Sequence, residues 1–116
     1  MADEHSTQDD GTPTEQVEAL VKAFHSGQMD EGECRASLAA LGGQAVQPLL
    51  RLVRQIGQPV KVRVMAVRAL ADLGDIEATP ALIAVAAGPD LPAALRRALR
   101  IALRSLSASG SQDRSQ

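Results

Sequence analysis

Two histidines and one cysteine are the side chains of this sequence best suited to nucleophilic, proton-transfer or metal chemistry at neutral pH, and they do not form a set. His5 stands in an acidic N-terminal stretch and His25 near the end of a helical pattern, and neither has a carboxylate-and-nucleophile pattern around it. Cys34 lies between Glu33 and Arg35, with no second Cys or a His at metal-ligand spacing. A reactive thiol needs an electropositive, accessible setting, so Cys34 is expected to be a half-buried packing residue. With a single cysteine, no intrachain disulfide can form. Gly42-Gly43 reads as a helix terminator and not as a phosphate-binding loop. On these grounds no catalytic residue, metal ligand or cofactor is assigned, and the chain is expected not to be an enzyme.

The other residues capable of specific chemistry are arginines. Arg96, Arg97, Arg100 and Arg104 share one helix face opposite a row of leucines. With Arg63 and Arg68 they make a candidate anion or nucleic-acid face, which would bind with a steep salt dependence. The chain has no Trp and no Tyr to stack bases, and its net charge is −2. A terminal helix also needs a polar outer side simply because nothing covers it. Nucleic acid is therefore the second reading of this ridge. The net charge hides an asymmetry: Met1–Cys34 carries nine acidic residues and one basic, and Arg35–Gln116 carries eleven basic and five acidic.

The elements that must position these residues are helices. Met1 to Gly11 reads as a disordered acidic arm, either a solubilising tail or a competitor for acidic ligands. Thr12-Pro13-Thr14-Glu15 is a helix start, followed by Val17, Leu20, Val21 and Phe24 at helical spacing until Gly27. Asp30 and Glu33 offer a second cap before Ala36, Leu38 and Leu41. Val46, Leu49, Leu50, Val53 and Ile56 form a third stripe; Val62, Ala66, Ala69, Leu70 and Leu73 a fourth, ending at Gly74. A fifth helix is expected from about Ala78 to Gly88-Pro89, and a sixth capped by Asp90, with Leu95, Ala98, Leu99, Ala102, Leu103 and Leu106 inward. From residue 108 the Ser/Gly/Gln-rich end reads as a second disordered tail. No segment alternates with the period of two that marks a half-buried strand. The uncharged, largely apolar stretch from Ala78 to Pro89 is too short to span a bilayer. The N-terminus has no apolar signal-like segment, so a cytoplasmic protein is expected. Ten arginines against two lysines, with abundant alanine, point to a GC-rich bacterial genome.

The stripes repeat. Leu41-Gly42, Pro48, Leu50 and Val53 recur 32 positions later as Leu73-Gly74, Pro80, Leu82 and Val85. Ala69, Leu70 and Leu73 recur 33 positions later as Ala102, Leu103 and Leu106. The glycine ends one helix, the proline opens the next, and the aliphatic stripes require copies to stack. The run from Val62 to Ile83 reads Val-Arg, then Ala-x-x-Ala-Leu-x-x-Leu-Gly-Asp, then Ala-x-Pro-x-Leu. It resembles the HEAT-like repeat family, in particular the short repeat named after phycobilisome lyases. The match is partial over Ala39–Val53, where Gly43 stands in place of the Asp, and half present at each end. The resemblance covers roughly residues 12–107. It implies an all-α fold, a short right-handed α-solenoid of three stacked helical hairpins, with the second helix of each repeat on the concave side. It also implies protein–protein scaffolding as the commonest role, with some members acting on bilins and some related folds binding DNA. The His-Glu pairs by which HEAT-repeat hydroxylases hold iron do not occur here.

One feature of the repeat points to a partner. Where the third helix carries Arg51, Leu52 and Arg54, the fifth carries Ile83, Ala84 and Ala86. Leu52, Ile83, Ala84 and Ala87 are therefore expected to form an exposed apolar patch rimmed by Arg51 and Arg54, as protein interfaces often are. The expected function is a non-enzymatic adaptor for a protein or peptide, with the arginines favouring an acidic partner. The alternatives are nucleic-acid binding, an accessory bilin-lyase-like or chaperone role, and a symmetric dimer built on the patch. Membrane binding is not expected, because the apolar stripes are needed inside.

Overall fold

A computed structural model describes residues 12–115, with side chains up to Ser107. The acidic arm expected over residues 1–11, with His5, lies outside the described residues. Among the described residues six α-helices follow one another: α1 (Pro13–Ser26), α2 (Glu31–Leu41), α3 (Val46–Arg54), α4 (Val60–Leu73), α5 (Thr79–Ala86) and α6 (Ala93–Ser115). Single 3-10 turns, Gly42–Ala45 and Ile76–Ala78, link α2 to α3 and α4 to α5. No strand occurs among the described residues.

The caps follow the local chemistry. Thr12 Oγ1 accepts from the Glu15 amide at 3.2 Å, and Pro13 takes the first helical position, where its missing N–H costs nothing. Asp30 and Glu33 close a complete capping box on α2, at 2.8 and 3.3 Å. α1 and α4 end on Gly27 (φ 88°) and Gly74 (φ 68°), left-handed positions that disfavour any side chain.

The start of α6 differs from the expected one. Asp90 is not its cap: its own φ is 57°, and the helix begins at Ala93, with the Arg96 amide donating to Pro92 O at 2.9 Å. Pro92 explains the shift, because a residue preceding proline is driven out of the helical region. At its other end α6 continues past the expected tail boundary to Ser115, since no proline stops it and one glycine is tolerated. Ile56, placed in the third stripe from its spacing, lies beyond the end of α3 and is 85% exposed.

The helices form two layers. α2, α4 and α6 make one and α1, α3 and α5 the other, with α1–α2, α3–α4 and α5–α6 packed across the layers as three stacked hairpins. This is a HEAT-like helical repeat fold. α4 is the central element, packed against α2, α3 and α6. Its position explains why Val64 and Val67 are buried as well as the expected stripe. The core is aliphatic: Leu38, Leu49, Met65, Leu70, Leu82, Leu95, Leu99 and Leu106 are fully buried. Phe24 packs at the edge, with Lys61 Nζ 5.1 Å above its ring.

Candidate protein-binding surface

The arginines divide by environment. Arg63 is 6% exposed, and its Nε and Nη2 donate to Val53 O at 2.9 and 2.8 Å. That carbonyl lies in the last turn of α3, where helical acceptors have no amide of their own. Arg63 therefore joins α3 to α4 and is not part of an anion-binding face. Arg68 is turned to Glu31, at 2.9 Å. Glu31 also holds Arg35 at 3.2 Å, and Arg35 forks onto Asp72 at 2.7 and 2.8 Å. The four side chains make one network tying α2 to α4. The hydrogen bond to Asp72 raises the pKa of Arg35 further. Arg96 reaches back to Leu91 O at 3.3 Å. Only Arg97, Arg100 and Arg104 of the six are both exposed and without a partner among the described residues.

The six residues expected at the apolar patch do not line a single groove. Arg51 and Leu52 line a groove of about 830 Å³ between α1 and α3. Its charge is mixed, with Glu15, Glu18, Lys22 and His25 on its α1 wall. Arg54 and Ala84 line a second groove, of about 510 Å³, between α3 and α5. Ile56, Ala81, Val85 and Leu91 complete its apolar wall. Ile83 is exposed, but two residues from Ala81 means about 200° around the helix. Ile83 therefore lies on the flank of α5 that faces away from α3, and Ala87 stands just past the helix as its C-cap. The sequence pattern identified α5 as a helix apolar all round, and that is what divides its residues between groove and flank.

Ile56, Ala81, Val85 and Leu91 were not picked out as site residues. Val85 was read as core from its register with Val53. Ile56 carried no visible signal, because only the end of α3 at Arg54 puts it on the groove.

Cys34 is fully buried. Its Sγ faces Leu20 O at 3.6 Å and Met65 Sδ at 3.9 Å. Burial, and secondarily the charge of Glu31, push its pKa up, the reverse of what a nucleophile needs. His25 is exposed on the α1–α3 groove. Among the described residues no group of His, Cys, Asp or Glu is arranged to hold a metal ion. No helix there is long and apolar enough to cross a membrane.

Residues 62–88, spanning α4 and α5, match the family model of the PBS lyase HEAT-like repeat. The chain thus carries a HEAT-like repeat, and α4–α5 is its clearest copy. No curated protein and no solved structure matches the sequence.

Proposed function

We propose that this protein is a non-enzymatic adaptor that holds an acidic peptide segment of a protein partner in the groove between α3 and α5. The observation that carries this reading is the composition of that groove. Ile56, Ala81, Ala84, Val85 and Leu91 offer apolar contact; Arg54 stands exposed on the wall with no ion pair among the described residues, and one carboxylate, Asp90, lies on the same groove. An apolar centre with an unpaired guanidinium at its edge suits a segment whose leucine- or phenylalanine-type side chain enters the groove while a neighbouring carboxylate meets Arg54, on the side away from Asp90's own charge. Small residues on α5 leave room for such a side chain. The HEAT-like repeat supports the reading at the level of architecture, since stacked repeats supply extended surfaces for partners.

Nucleic-acid binding has less support. Arg63 is buried and Arg68 is engaged with Glu31, so the face expected to carry it is reduced to α6. The lyase named in the family description suggests bilin chemistry, but the chain's one thiol is inside the core.

Selection of peptides from a random display library against the full chain tests the proposal. Enriched peptides are expected to pair Asp or Glu with a large apolar residue. Ala84→Glu should weaken their binding about tenfold or more, by placing a carboxylate in the apolar groove. Arg54→Glu should weaken it through charge. Peptides that bind both variants as well as the parent chain contradict the groove assignment.

A further inference from the structure

We infer that copies of this chain stack head to tail, the free flank of the α5–α6 hairpin of one copy meeting the free flank of the α1–α2 hairpin of the next. Among the described residues, the outer flank of the α5–α6 hairpin is only half capped. A terminal repeat is normally polar on its outer side, yet Ala81–Ala87 contains no polar side chain. Ile83 is 53% exposed on a flank of α5 that no other helix among the described residues covers. Beside it, α6 is charged. Ala98 and Ala102 line the cleft against α4, so Arg100 and Arg104, two residues further on and about 200° around the helix, face away from α4. Arg97 lies on the same row.

The opposite end has the complementary sign. Arg35 is turned to α4 by its fork onto Asp72, so Glu33, two residues back, lies on the flank of α2 that faces away from α4. Asp30, exposed, caps the same helix. Of the five carboxylates in residues 12–41, Glu15 and Glu18 line the α1–α3 groove and Glu31 is held by Arg35 and Arg68, which leaves Asp30 and Glu33 for this flank; residues 79–107 hold four arginines and one carboxylate. The occupant that fits both the uncapped apolar half and the unpartnered arginines is thus the acidic first hairpin of another copy, continuing the layers already present within one chain. Such contacts are heterologous and leave an open site at each end.

Sedimentation velocity of the full chain, from micromolar to near-millimolar concentration and in low and high salt, tests this. The average mass should climb past that of a dimer without levelling, and should fall as salt screens the contact. Arg100→Glu with Arg104→Glu should raise the concentration needed for a given mass about tenfold. Mixing that variant with a Glu33→Arg chain should restore association, because the reversed charges again complement each other. Circular dichroism checks folding, and Ile83→Glu tests the apolar half separately. Arg54 and Ala84 are untouched in all of these, so the outcome is independent of the peptide-binding reading. A chain that stays monomeric throughout overturns the proposal. So does a mass that stops at two copies, an association indifferent to the charge reversals, or a monomer whose arginine flank instead binds duplex DNA.

Discussion

Arg63 and Arg100 carry the same guanidinium, and their surroundings decide what each does. Arg63 is buried with two charge-assisted bonds to one helix-terminal carbonyl, whereas Arg100 is exposed without a partner among the described residues. Replacing Arg63 with Ala leaves Val53 O buried without its donor and should cost about 2–3 kcal/mol in urea unfolding. Arg100→Ala should stay within about 0.5 kcal/mol. Similar losses for the two would contradict the assignment. Nothing in the sequence separated these arginines, because both fit helical periodicity. Only the end of α3 beside α4 brings the Val53 carbonyl to Arg63. Cys34 was more legible: a lone cysteine without metal-ligand neighbours is usually a packing residue, and it is. Since burial raises its pKa, the folded state favours the neutral thiol. That contribution to stability is present below the ordinary thiol range and is lost as pH rises through the raised value. A disulfide reagent at mildly alkaline pH should therefore label Cys34 only as fast as the protein unfolds, and labelling at the rate of a free thiol would show that it is accessible.

At the scale of elements, helix starts were legible wherever a side chain marks them. Thr12 and Asp30 cap α1 and α2 as their spacing with Glu15 and Glu33 implies. Asp30→Ala should cost about 1 kcal/mol by thermal or urea unfolding, with no loss if the box contributes nothing. Asp90 misled because an acidic residue ahead of an apolar stripe looks the same whether or not a proline intervenes. Pro92 outweighed it. The tie between α2 and α4 had no local signature at all, since Arg35 and Asp72 are 37 residues apart. Both are about a third exposed, so solvent limits what they contribute. A double-mutant cycle should give a coupling of roughly 0.5–1 kcal/mol, and additive losses would show the fork to be energetically idle.

At the scale of the molecule, the repeat of 32–33 residues carried most of the architecture. It fixed the helix order, the glycine ends and the stripes that meet in the core, and the family match over residues 62–88 falls on the copy whose residues were most regular. The candidate surface was less legible. Periodicity states which residues leave the core but not which of them share a groove, and the packing of α3 against α5 sent Arg51 and Leu52 one way and Arg54 and Ala84 another. The adaptor reading rests on that second groove. Its most direct test is an amide chemical-shift map of the labelled chain titrated with a selected acidic, apolar-tipped peptide. Perturbations clustered at Ile56, Ala81, Ala84, Val85 and Leu91 are the expected result. Perturbations confined to Arg97, Arg100 and Arg104, or to the α1–α3 groove, would contradict it.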